Sequence, residues 1–185
     1  MANHDSKLGI GMATGMFYHA PAGTALPTSP STKPSGQWTL VGDVSADGIS
    51  MSFEKSTTNL RNWANALKRI LMTEHAETIT APIMDTTQEV LETILGEGAT
   101  ETTPATATHG NLVTASLTQG TLPPEEAYLF LMKDEDDLIA LGCTKGQITA
   151  MDTVSFAPGS TINWTPTITA LDEGWQIILD DGQTT

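Results

Sequence analysis

One stretch of this chain is patterned as an amphipathic helix, and nearly all its other regular patterning has the period of a strand. Asp85-Thr86-Thr87-Gln88-Glu89 opens the helix. Asp85 or Thr86 can cap it, with Gln88 or Glu89 three residues on to return the hydrogen bond. Val90, Leu91, Ile94 and Leu95 recur as an apolar stripe, and Gly96 ends it. A single helix over about residues 86–95 cannot supply the crossovers of a parallel α/β sheet. The fold class expected is therefore mainly β: a β-sandwich or partial barrel with one flanking α-helix.

Strand candidates surround the helix. Residues 38–44 and 49–55 read as strands, the second alternating apolar and polar. Ser45-Ala46-Asp47-Gly48 between them has turn chemistry, so the pair is expected to form a hairpin. Residues 74–83 are rich in Thr and Ile and read as another strand. Residues 111–119, 126–133, 138–152, 161–170 and 174–180 follow. The segment 138–152 is long and is expected to bend at Gly142 or Gly146.

Three regions are not simple strands. Residues 1–36 carry many Gly, Pro and Ser. They are expected to be an N-terminal arm and Pro-rich loop ahead of a β domain over 37–185. Residues 56–73 fit either a short helix from Asn62 to Met72, with Trp63, Ala66, Leu67, Ile70 and Leu71 on one stripe, or a long loop with a strand. Residues 97–110 are low in complexity and expected to be an exposed loop.

Composition narrows function by exclusion. The 185 residues carry 8 basic and 22 acidic side chains, a net charge of −14. That balance argues against gripping nucleic acid, which needs Lys and Arg to displace counterions. A surface that repels phosphate suits a conduit through which DNA passes. Charged residues are only 16% of the chain, as suits β-structure joined by turns better than a helical bundle. No apolar run approaches a membrane span, and no charged-then-apolar leader opens the chain. The protein is expected to be soluble and to be made in a cytoplasm.

Every candidate chemical site has a plainer reading. Gly9-Ile-Gly-Met-Ala-Thr-Gly15 superficially matches a dinucleotide loop, but no strand precedes it. Asp134-Glu135-Asp136-Asp137 lacks the spacing and the glycine of a calcium loop and reads as a tight turn. His4, His19, His75 and His109 have no zinc spacing. Cys143 sits in an apolar stretch as a small hydrophobe. Trp38, Trp63, Trp164 and Trp175 lie in separate segments, which favours packing over a sugar-binding platform. No catalytic residue, cofactor or metal is expected.

Four stretches resemble the major tail proteins, or tail tube proteins, of long-tailed bacteriophages, of the siphophage type that infects actinobacteria. They are Gly15 to Thr28 (GMFYHAPAGTALPT), Trp38 to Ile49 with its VGDVSADGI core, Trp63 with the Thr-rich strand running on to Glu89-Val90-Leu91, and Phe156 to Ala170 (FAPGSTINWTPTITA). The resemblance runs from about residue 10 to the end.

It implies a structural, non-enzymatic virion protein in homohexameric rings that stack into the tail tube, a conduit for DNA ejection. The alternative is another ring-forming virion protein, a tail terminator or a capsid decoration protein. The implied partners are further copies of the chain, the tape measure protein and genomic DNA in the lumen without specific binding, and terminator and baseplate or tail tip proteins at the tube ends. No membrane partner is implied.

Stacking needs segments that leave the ring plane. The candidates for contact between rings are Lys55, Arg61, Trp63, Lys68 and Arg69, with Pro27, Pro30 and Pro34 of the Pro-rich loop. The basic residues are expected to meet acidic groups of the next ring. A solvated charged face is the equal alternative.

Overall fold

The structure, a computed structural model, describes residues 9–11, 16–30, 34, 36–96, 98–117 and 122–180. The His4 and Gly15 ends of the motifs above lie outside them. Eleven strands and one helix are formed among the described residues: β1 (Ile10–Gly11), β2 (Phe17–Pro21), β3 (Thr39–Gly42), β4 (Ser50–Arg61), β5 (Leu67–Thr80), α1 (Gln88–Leu95), β6 (Thr100–Thr103), β7 (Leu112–Ala115), β8 (Glu126–Asp134), β9 (Asp137–Met151), β10 (Pro166–Ala170) and β11 (Gln176–Asp180). Nine join one antiparallel sheet in the order β3-β2-β8-β9-β10-β5-β4, with β1 on β8 and β11 on β9. The fold is mainly β with one flanking helix, as expected. The sheet does not close, although bridges from Val44 to Ile83 and from Ile83 to Trp164 draw its margins together.

β9 organises the sheet. Along one edge it pairs with β8. Along the other it pairs first with β11, from Leu138 to Gly142, and then with β10, from Gly146 to Met151. The change of partner falls between the two glycines expected to mark a bend. Neither has room for a side chain: a Cβ on Gly142 would lie 2.8 Å from the Tyr128 carbonyl oxygen, and one on Gly146 would lie 2.9 Å from Cys143 Sγ.

β8 is apolar from Ala127 to Leu131 because both its faces are covered. On the inner face Phe17, Tyr128 and Phe130 stack, with ring centroids 6.0 and 4.7 Å apart. Ile79, Ile83, Val90, Ile94, Cys143, Ile148, Trp164 and Ile168 complete this core. On the opposite face Tyr18, Leu129, Leu131 and Ala140 form a smaller cluster capped by Leu26, Trp38 and Ile178.

The helix forms where expected, but its cap is Thr87, whose hydroxyl accepts the Val90 N–H at 3.3 Å. The two expected caps are engaged elsewhere. Asp85 accepts the Asp43 N–H at 2.7 Å, and Thr86 accepts the Trp164 indole N–H at 3.0 Å.

Three local readings are corrected. Residues 38–44 and 49–55 do not pair: β3 pairs with β2 and β4 with β5. The Ser45–Gly48 turn is present, closed by the Gly48 N–H on the Ser45 carbonyl at 2.9 Å. It joins the two ends of the curled sheet, so its flanking strands part. Residues 56–73 are not a helix; of the second reading the strand is present and the loop shrinks to a turn over 62–66. They are the outer part of the β4–β5 hairpin, closed by the Asn62 amide and carboxamide, which hold Ala66 at 3.0 and 2.8 Å. Residues 97–110 are exposed over 101–110 but include β6, which pairs with β7 in a small separate sheet.

Candidate assembly surface

The β4–β5 hairpin is far longer than the sheet that carries it. Its inner end is bound into the body, where Thr78, Ile79 and Thr80 pair with β10. Beyond that, residues 52–70 are exposed without interruption, and Trp63 at the tip is fully exposed. Cross-strand partners share a face, so the register shows what each face of this arm carries. Met51 opposes the buried Ile79; two residues along, Phe53 opposes Glu77 and Lys55 opposes His75. Past a bulge, Thr57 opposes Met72 and Asn59 opposes Ile70. The core-facing side of the sheet thus continues outward with Phe53, Met72 and Ile70, which are 61%, 62% and 59% exposed, set among Lys55, His75, Thr57 and Asn59. Apolar residues of the core-facing side recur past the end of the core, one to a pair except at Lys55 and His75.

All four charged residues between positions 55 and 72 are basic. They are Lys55, Arg61, Lys68 and Arg69, and the structure brings them and Trp63 onto this one arm. Arg61 donates to the Asn65 carbonyl at 3.0 Å and stiffens the tip.

The three prolines lie elsewhere. The loop after β2 crosses the other face of β9: the Gly23 N–H donates to the Thr144 carbonyl at 2.7 Å, and Ser29 donates to Asp180 at 2.6 Å. Pro27 is half-buried there, and Pro30 and Pro34 are buried in their own chain. The sequence reading missed Phe53, Ile70 and Met72 as surface residues. The signal was available in the alternation Ile49, Met51, Phe53, which continues after the core has ended.

The loop between β10 and β11 pins the root of the arm. The Trp175 backbone N–H donates to the Glu77 carboxylate at 2.9 Å, and its indole N–H donates to the Glu77 carbonyl at 3.3 Å. A second polar knot ties the helix down. His19 on β2 bridges Glu126 on β8 at 3.0 Å and Glu89 on α1 at 2.7 Å. Burial works against charging this imidazole, but the hydrogen bonds and negative charges of Glu126 and Glu89 outweigh it and raise its pKa.

Two further reactive groups are buried. Burial pushes the Cys143 thiol up to about 12, so it is not a thiolate at neutral pH. Burial likewise raises the Tyr128 phenol. Asp134-Glu135-Asp136-Asp137 is the β8–β9 turn, with Glu135 at φ 53°. Among the described residues no group of His, Cys, Asp and Glu is arranged to hold a metal ion. None of the helices described is long and apolar enough to cross a membrane. The tryptophans form no common platform. Trp164 and Trp175 belong to the inner core, Trp38 to the opposite face, and Trp63 to the arm tip.

Two solved structures resemble the fold. One is titled as the tail of an empty GTA particle, refined helically with C6 symmetry; it is 9% identical, with 86% of this chain and 92% of that one covered and a TM-score of 0.40. The other is titled as the cap of the anti-feeding prophage, a tube-terminating cap; it is 11% identical, with 96% and 98% covered and a TM-score of 0.46. No curated protein matches the chain. A family model described as phage tail tube protein matches residues 1–179. The chain, with its mainly β body and outlying hairpin, belongs to the phage tail tube protein family.

Proposed function

We propose that this chain is a non-enzymatic subunit of the virion tail that self-assembles into rings, six copies to a ring, stacked into the tube that conducts DNA at ejection. The observation that carries this reading is the β4–β5 arm. It exposes Phe53, Ile70, Met72 and Trp63 together with four basic side chains on an otherwise acidic protein. Apolar surface of this kind on a projecting hairpin marks a site that another surface covers. An identical subunit is the simplest cover, and heterologous contacts between identical subunits close into rings or propagate as tubes.

Lys55, Arg61, Trp63, Lys68 and Arg69 are then contacts between rings. Pro27, Pro30 and Pro34 act less directly, by fixing the loop that holds Leu26 and Ser29 over β9 and β11. The net charge of −14 keeps phosphate off the wall of the lumen, so that DNA and the tape measure protein are housed there without specific binding. Terminator and tail tip proteins close the ends. The siphophage type and production in a host bacterial cytoplasm follow from the resemblance of the Gly15 to Thr28 and Phe156 to Ala170 stretches.

Negative-stain imaging and sedimentation of the purified chain test this. Wild-type protein is expected to form tubes, and the double variant Trp63→Ser, Ile70→Ser to remain a folded small species. A variant that still forms tubes of normal length overturns the role of the arm. Assembly that halts at single rings or at capsid binding would instead favour a terminator or decoration protein.

A further inference from the structure

If the chain self-assembles as proposed above, the arm must land on a surface of another copy. A second uncovered strip of the core-facing side lies on β11. Ile177 opposes Leu141 and Leu179 opposes Ile139, so their side chains share the face of buried core residues. Yet Ile177 and Leu179 are 63% and 60% exposed. Among the described residues β11 is paired along one edge only, to β9. Its own arm leaves this strip uncovered, although the two separate at the shared anchor of Trp175 on Glu77.

The strip and the arm match in order of chemistry. Along β11 the apolar pair leads to the β8–β9 turn, because Asp180 opposes Leu138, the neighbour of Asp137. Glu135 and Asp136 at that turn are exposed. Along this face of the arm, Phe53 is followed by Lys55 against His75, then by Met72 and Ile70, and at the tip by Arg61 against Leu67 with Lys68 at the bulge beside it. Each surface thus carries exposed apolar side chains and ends in charges, of opposite signs; on the arm Lys55 interrupts the apolar length. Laid along one another, both bury their apolar length while the charges meet.

We propose that the arm of one copy docks on the β11 strip of another, with Phe53, Met72 and Ile70 over Ile177 and Leu179, and the basic tip against Glu135 and Asp136. The two surfaces differ, so the contact is heterologous and propagates from copy to copy instead of closing on a pair.

Two measurements on the full chain test this. First, chains carrying Ile70→Cys are mixed with chains carrying Ile177→Cys and treated with a short bismaleimide; buried Cys143 is a poor competitor. Crosslinked dimers are expected in the mixture and not with either variant alone. Second, Arg61→Glu with Lys68→Glu, and separately Glu135→Lys with Asp136→Lys, should each raise the concentration needed for assembly by about tenfold or more. The four changes in one chain should restore it, which a folding defect would not do. Wild-type chains that stay monomeric at high concentration overturn self-assembly itself. Tubes that form without the mixed crosslink, or without rescue by the charge exchange, overturn this docking and leave self-assembly standing.

Discussion

Both N–H groups of Trp175 end on Glu77: the backbone amide on its carboxylate at 2.9 Å, the indole on its carbonyl at 3.3 Å. Glu77 is the residue at which β5 leaves the body, one position beyond its last pairing with β10 through Thr78. The carboxylate also lies 3.2 Å from the His75 ring nitrogen Nε2. Gly174 approaches so closely that a Cβ there would lie 2.6 Å from a Glu77 oxygen. The arm is therefore rooted by one side chain on the loop before β11.

Replacing that carboxylate should loosen the root without unfolding the sheet. Glu77→Ala leaves the half-buried Trp175 N–H without its acceptor and is expected to cost about 1–3 kcal/mol. Glu77→Gln keeps an acceptor and should cost less. Chemical denaturation of the unassembled chain measures both; equal loss in the two variants would remove the acceptor role.

The His19 knot should make stability depend on pH. Its pKa is raised above 6.5 in the folded chain. The stabilisation is therefore fully present below about pH 6.5 and is lost as the pH rises through the folded-state value. His19→Gln should flatten the change in melting temperature between about pH 6 and pH 9. A wild-type melting temperature with the same pH slope as His19→Gln across that window would show that the bridge to Glu89 and Glu126 contributes nothing.

The partner exchange on β9 should not tolerate a side chain. Gly142→Ala places a methyl against the Tyr128 carbonyl and the Leu26 side chain, 2.8 and 2.7 Å away. It is expected to destabilise by about 1–3 kcal/mol through overpacking. Leu26→Ala in the same chain relieves only the second clash, so partial recovery in urea unfolding would separate the two.

The aromatic stack should be the most sensitive part of the core. Phe17→Ala removes the ring between Tyr128 and Phe130 and is expected to cost about 3–5 kcal/mol. Urea unfolding should show a lower midpoint with an unchanged slope.

Much of the local structure was legible in the chain. The helix announces itself through the Val90, Leu91, Ile94, Leu95 stripe and Gly96, and the strands β8 to β11 through apolar runs bounded by turns. The acidic turn, the buried thiol and the basic cluster of the arm could also be read from residue types and order. These features depend on neighbours a few positions apart, where steric and capping rules act directly.

Partnership was not legible, because it is settled between distant segments. Nothing local tells β3 to prefer β2 over β4, or His19 to meet Glu126, 107 residues away. Leu67, Ile70 and Leu71 fit a helical stripe as well as they fit a bulged strand. The choice follows from where the sheet ends: with no body beneath the stripe there is nothing to bury a helix against, whereas the register of β4 is already set by Met51 on Ile79. Sequence thus determined which residues are apolar and how they alternate. Only the tertiary structure decided which of them run out of core and stand in water, because burial depends on where the rest of the chain comes to lie.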